Sequence, residues 1–111
     1  MEQNMAFDKE ITDICDGLTR LFDVEKLIVF GVKRSESTKN ITDLDICVIA
    51  DYDYNKNDFL KRAYLEIDSD IPFDIFLYTP TEWNNLIKKS ESFASRIDRK
   101  GCIVYEKKQL P

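Results

Sequence analysis

Four short apolar segments, separated by stretches with the apolar spacing of a helix, are the feature that most constrains the fold of this 111-residue chain. Each segment is rich in β-branched and aromatic residues and is bounded by polar, glycine or proline positions, as buried strands are. Strands are therefore expected over residues 26–32, 43–50, 72–78 and 102–106. Alternation of strands and helices in so short a chain favours a small mixed β-sheet with helices packed against it, in the α/β or α+β class.

The stretches between these segments place apolar residues at the period of a helix with one buried face. Helices are expected over residues 7–22, 58–67, 81–89 and 91–99. Asn57 or Asp58 is suited to cap the second of them. The polar run KRSESTKNIT, residues 33–42, separates the first two strands and leaves room for a further short helix.

Length and composition narrow the class of protein. A chain of 111 residues is of ordinary size for one domain, so a single domain over residues 1–111 is expected. No apolar run approaches the roughly 18–20 residues of a membrane helix, and the polar first residues lack the pattern of a signal peptide. We therefore expect a cytoplasmic protein with no membrane partner. Its net charge of -5 disfavours binding to extended nucleic acid, which relies on a basic surface.

The chain has no histidine, and its three cysteines are far apart in the sequence. Histidine-based catalysis is therefore excluded, and a zinc site would lack its usual ligand spacing. Any metal ion bound by this chain would be held by oxygen.

Asp43 and Asp45 stand two residues apart at the start of the second expected strand. Side chains at such positions share one face of a strand, so the two carboxylates lie close enough to repel each other. A cation relieves that repulsion, and Mg²⁺ prefers carboxylate oxygen as a ligand. The alternative is that both acids are solvated charges at a sheet edge.

Asp74 adds a third acid within the apolar segment PFDIFLY, where a charge is costly unless it has a partner. If this strand adjoins the strand of Asp43 and Asp45, the three carboxylates can surround one or two Mg²⁺ ions. Such an arrangement suits in-line phosphoryl or nucleotidyl transfer, in which one ion activates a hydroxyl and the other steadies the leaving oxygen. The alternative is that Asp74 faces solvent on an edge strand.

The run FGVKRSESTKNITDLDICVI resembles the signature of the DNA polymerase β-like nucleotidyltransferases, in which a Gly-Ser pair at the end of a strand precedes an Asp-x-Asp motif. Gly31 and Val32 occupy the positions of the pair. Asp43 and Asp45 occupy the acidic positions. The later runs PFDIFLYTPTEW and RKGCIVYEK are similar to the strand with the third acid and to the closing strand. The small size is similar to that of the minimal nucleotidyltransferases, which often accompany a helical HEPN protein in prokaryotic toxin–antitoxin pairs.

The resemblance implies a nucleotidyltransferase-like fold and the transfer of a nucleoside monophosphate from an NTP to an acceptor hydroxyl, with ATP as the expected nucleotide. It implies that Asp43 and Asp45 hold Mg²⁺ and that Asp74 binds metal or helps to deprotonate the acceptor. The implied nucleotide-binding residues are Gly31, Val32, Lys33 and Arg34. Gly31 would let the triphosphate approach the backbone closely, because glycine has no Cβ atom.

Two positions depart from the family pattern. Val32 stands where the family places a serine that bonds the phosphates, and Glu36 stands where a second glycine is common. Losing one hydrogen bond to a charged phosphate typically costs about 1.5–3 kcal/mol. The side chains that could compensate, or that could equally be solvated loop residues, are Lys33, Arg34, Ser35 and Ser37.

Two functions therefore remain open: an active enzyme that modifies a HEPN-type partner, and an antitoxin-like subunit that binds its partner without catalysis. Modification of a small molecule is a third possibility. In a chain this short, the acceptor site would come from the partner or from a homodimer. Aromatic residues are enriched at interfaces, although core packing explains them equally well. The candidates are Tyr52, Tyr54, Trp83 and Phe93.

Overall fold

The structure, a computed structural model, describes residues 8–53 and 55–108. Within these residues the elements are α1 (Lys9–Leu21), β1 (Asp23–Arg34), β2 (Ile41–Asp51), α2 (Lys56–Glu66), β3 (Phe73–Tyr78), α3 (Pro80–Leu86), α4 (Phe93–Lys100) and β4 (Cys102–Glu106). The strands form one mixed sheet with the helices packed against it, which confirms the predicted fold class. In this described part of the chain, no helix combines the length and the apolar character needed to cross a membrane.

The strands lie side by side in the order β3-β2-β1-β4. β1 is antiparallel to both of its neighbours, β2 and β4, whereas β2 and β3 are parallel. Parallel neighbours cannot be joined by a tight turn, so the chain returns from the end of β2 to the start of β3 through α2. This order brings the strand of Asp74 next to the strand of Asp43 and Asp45, as the predicted carboxylate cluster requires.

Helices cover both faces of the sheet, because the side chains of each strand alternate between the two faces. On one face, the larger buried cluster joins α1 and α2 to the sheet through residues such as Ile14, Leu18 and Phe59. On the other face, a smaller cluster joins α3 and α4 to the sheet. Its buried members are Ile28, Cys47, Ile49, Trp83, Ala94 and Ile97. We call the two faces the α1/α2 face and the α3/α4 face.

β1 continues further than predicted, into the polar run over residues 33–42. Lys33 pairs with Asp43 on β2, so the two strands form a hairpin. A turn closes it, in which the backbone N–H of Ser35 donates a hydrogen bond to the carbonyl O of Asn40 at 2.9 Å. All of residues 33–42 are described, and they contain no helix. The short helix considered for this run is therefore wrong, because strand pairing and the turn use its residues.

α2 begins earlier than predicted. Its N-cap is Asn55, whose side-chain Oδ1 accepts a hydrogen bond from the backbone N–H of Asp58 at 2.8 Å. Asn57 and Asp58 lie inside the first turn, so their assignment as the cap was wrong. Asn55 has the extended backbone conformation that a cap needs, and it is the first residue before the helix. The predicted start of the first helix, at residue 7, lies outside the described residues.

Candidate functional site

The structure brings Asp45 and Asp74 together as direct neighbours on β2 and β3. The two are register partners in the parallel pair, so their side chains project from the same face of strands about 4.8 Å apart. Asp43 precedes Asp45 by two residues and shares that face through the alternation of the strand. Cys47, which follows Asp45 by two residues and so shares its face, belongs to the smaller buried cluster. The three acids therefore lie on the α3/α4 face.

A bulge in β1 brings Gly31 to the same face. Val29 pairs with Ile46 on β2. The next pair is Gly31 with Asp45, which leaves Phe30 as an extra residue in β1. At such a bulge, two consecutive residues oppose one residue of the partner strand. Phe30 packs against the smaller cluster and Gly31 lies against Asp45, so both face the side of the acids.

Gly31 is needed because the side chain of Asp45 lies directly over it. A Cβ atom on residue 31 would stand 2.6 Å from Oδ2 and 3.0 Å from Cβ of Asp45. Atoms at these separations overlap, so any other residue would force the carboxylate of Asp45 to move. The observed position of the Asp45 carboxylate therefore depends on glycine at residue 31.

The negative charge of Asp45 is held in an unfavourable environment. Its pKa is raised above the usual value of 3.8, chiefly because the carboxyl is partly buried and secondly because Asp74 repels it. Lys33 opposes the increase and Asp43 adds to it. Lys33 is the register partner of Asp43, so its side chain projects from the same face. A cation bound here would offset the cost of holding these carboxylates together.

The donor set fits a hard divalent cation. Carboxylate oxygens are the ligands that Mg²⁺ prefers, and Asp43, Asp45 and Asp74 supply three carboxylates at this end of the face. Among the described residues, no three acidic or cysteine side chains already converge on one point. Asp43 and Asp74 are exposed, however, so a change of rotamer can turn their carboxylates toward an ion beside the more buried Asp45.

Two of the expected nucleotide-binding residues point away from the acids. Val32 packs against the larger buried cluster on the α1/α2 face. The Arg34 guanidinium forms an ion pair with Asp8, with Nη2 and Oδ2 2.7 Å apart. Gly31 and Lys33 are therefore the members of that group that share the face of the carboxylates.

A second acidic group, which sequence reasoning missed, lies at the opposite end of the same strands. Asp23 begins β1 and pairs with Asp51 at the end of β2, and Asp53 follows in the next loop. The ammonium group of Lys107 contacts this group, with Nζ 2.9 Å from Oδ1 of Asp23. The sequence signal was weak, because Asp23 and Asp51 meet only through the register of the hairpin.

The aromatic residues considered as interface markers differ in exposure. Trp83 is 3% exposed and belongs to the smaller buried cluster. Tyr52 is half-buried and packs against the larger one. Tyr54 lies outside the described residues. Phe93 is 42% exposed at the start of α4, which places an accessible ring on the α3/α4 face.

Comparison with protein-family models, with curated proteins and with solved structures found no match for this chain. Three features distinguish this site: the close contact of Gly31 with Asp45, the register of Asp45 with Asp74, and the charge of Lys33 on the same face.

Replacing Asp45 by asparagine should stabilise the fold. At neutral pH the charged carboxylate is less favourable in the folded chain than in the unfolded chain, because its folded pKa is raised. Asp45→Asn should therefore raise Tm slightly at pH 7, because solvent screens much of the repulsion at this partly exposed carboxylate. The difference should shrink as the pH falls through the raised pKa, because the wild-type carboxyl then takes up a proton. Thermal melts followed by circular dichroism measure both effects.

The control for this comparison is Asp70→Asn, which removes one charge from an exposed position. It should leave Tm nearly unchanged. A lower Tm for Asp45→Asn, or the same increase for both variants, would contradict the electrostatic account of Asp45.

Proposed function

We propose that this chain is a minimal nucleotidyltransferase of the DNA polymerase β-like superfamily that uses Mg²⁺ and an NTP, with ATP as the expected nucleotide. The observation that carries the proposal is the carboxylate of Asp45 lying over Gly31, with Asp74 beside it on the next strand. These positions correspond to the glycine, the Asp-x-Asp motif and the third acid of the resemblance. Their meeting on one face supports the proposal, because they are far apart in the sequence.

In the proposed reaction, the acceptor hydroxyl oxygen bonds to the α-phosphorus of the NTP. The bond from that phosphorus to the bridging oxygen breaks, and pyrophosphate leaves. Mg²⁺, when bound, would neutralise phosphate charge and steady the leaving oxygen. Asp43 and Asp45 would hold the ion, and Asp74 would complete its ligands or accept the proton of the acceptor. Lys33 would contact the phosphates, and Gly31 would leave the backbone open to them.

We propose that the acceptor is a hydroxyl group on a HEPN-type partner protein, with a homodimer as the other source of an acceptor site. Asp43, Asp74 and Lys33 are exposed, so a macromolecular acceptor can reach this face. We also propose a cytoplasmic location. Use of an NTP agrees with it, and so do the three free cysteines, since thiols stay reduced in that compartment.

A second candidate function is an antitoxin-like subunit that binds its partner without catalysis. The orientation of two side chains favours it, because Val32 packs into the core and Arg34 is held by Asp8. Neither supplies a hydrogen-bond donor to phosphates at the acidic site. The exposed Glu36 adds negative charge in the adjacent turn, which leaves Lys33 as the cationic side chain of this group that could contact a triphosphate.

Isothermal titration calorimetry with MgATP and MgGTP separates the two functions. The nucleotidyltransferase should bind with micromolar affinity, and the Asp43→Asn/Asp45→Asn variant should lose binding because it lacks the carboxylates that hold the metal. The matched control is Asp23→Asn/Asp51→Asn, which makes the same charge change at the other end of the same strands and should retain binding. A wild-type protein with no affinity for any Mg²⁺-bound NTP would exclude the enzyme and favour the binding subunit.

Gly31→Ala tests whether the glycine and the acid act together. The new Cβ atom would displace the Asp45 carboxylate and would also crowd the Cβ atom of Asp45, which side-chain rotation does not move, so the free energy of unfolding should fall by about 1–3 kcal/mol. Affinity for MgATP should fall by about 10- to 100-fold, because the displaced carboxylate no longer supports the metal. Val32→Thr, a change of similar volume on the opposite face, should retain affinity. Undiminished binding by Gly31→Ala would show that the position of Asp45 is irrelevant to the ligand.

A further inference from the structure

Three phenylalanine rings form a cluster on the α3/α4 face. Phe30 and Phe76 meet edge to face, with ring centroids 5.0 Å apart. Phe93 lies against both, with centroid distances of 5.6 Å to Phe30 and 5.5 Å to Phe76. The rings belong to β1, β3 and α4, so the packing of α4 on the sheet holds them together. We call them the phenylalanine cluster.

The phenylalanine cluster adjoins the carboxylates. Phe30 immediately precedes Gly31 and shares its face through the bulge in β1. Phe76 follows Asp74 by two residues on β3, so it stands about 7 Å further along the same face. The acids and the rings therefore form one continuous surface, which is charged at one end and aromatic at the other.

Phe93 remains accessible although α4 packs on the sheet. Ala94 and Ile97 are 1% and 2% exposed and make the buried contact of this helix with the sheet. Phe93 occupies the first position of the helix and keeps 42% of its surface exposed. A large ring that remains accessible beside a charged site offers an apolar face to a ligand.

We propose that the phenylalanine cluster is the nucleobase subsite of this protein, with Phe93 as the exposed ring on which the base stacks. The inference rests on the proposed function, because a triphosphate held near Asp43 and Asp45 brings its base to the rings. In an NTP the ribose links the base to the triphosphate. On the protein, one continuous surface links the phenylalanine rings to the carboxylates. Stacking uses the flat face of a base rather than its hydrogen-bonding edge, so adenine and guanine are accepted alike.

The test compares the binding of MgATP, MgGTP and Mg²⁺-tripolyphosphate, which carries the charge but has no base, by isothermal titration calorimetry. In Phe93→Ala, affinity for both nucleotides should fall at least about fivefold, the lower end of what stacking on an aromatic ring contributes. Affinity for tripolyphosphate should not change. Phe93→Tyr keeps the ring and should retain nucleotide affinity.

The matched control is Leu65→Ala, which removes an apolar side chain that is 75% exposed on α2, on the opposite side of the sheet. It should bind all three ligands as the wild type does. Unchanged nucleotide affinity in Phe93→Ala would overturn the nucleobase subsite and leave the proposed function standing. An equal loss for tripolyphosphate would also overturn it, because the change would then lie in the charged end. If the wild type binds neither nucleotide, this inference and the proposed function both fail.

Discussion

The pairing of Gly31 with Asp45 across β1 and β2 is the contact on which the proposed site depends. A Cβ atom on residue 31 would lie 2.6 Å from Oδ2 of Asp45, so a larger residue at this position would force the carboxylate to move. The bulge at Phe30 makes this pairing possible, since it places two consecutive residues of β1 opposite one residue of β2. Without the extra residue, alternation would turn Gly31 and Lys33 to the α1/α2 face. The same bulge is the reason that Val32 points into the core rather than toward the acids.

The two acidic groups of the sheet differ in how their charge is balanced. At one end, Lys107 contacts Asp23, and both side chains are largely exposed. At the other end, Asp45 is partly buried beside Asp74, and Lys33 only partly compensates. The charged form of this carboxylate opposes folding, because its pKa is raised in the folded chain. Local arrangements that oppose stability are expected where a site is built to bind a ligand, and here the ligand that would restore the balance is a cation.

The sequence predicted the parts of this structure that depend on local pattern. Apolar period and β-branched composition located each strand and helix that the structure describes over residues 8–53 and 55–108. The spacing of Asp43 and Asp45 placed both on one face. The register between strands was not predictable, because a single extra residue in β1 reverses which side chains face the acids. The resemblance grouped Arg34 with the nucleotide-binding residues because it closely follows Gly31 in the sequence, whereas the structure pairs it with Asp8. The phenylalanine cluster was missed for a similar reason, since its rings meet only after β1, β3 and α4 pack together.

Paramagnetic broadening of backbone amide NMR signals by Mn²⁺ tests most directly whether the carboxylates beside Gly31 form a cation site. Mn²⁺ binds carboxylate oxygen as Mg²⁺ does, and it broadens the signals of nearby nuclei. If these carboxylates form a cation site, the amide signals of Gly31, Asp45 and Asp74 should broaden at the lowest Mn²⁺ concentrations and recover when excess Mg²⁺ is added. Broadening that begins at Asp23 and Asp51, or that spreads evenly over the acidic surface, would contradict a cation site beside Gly31.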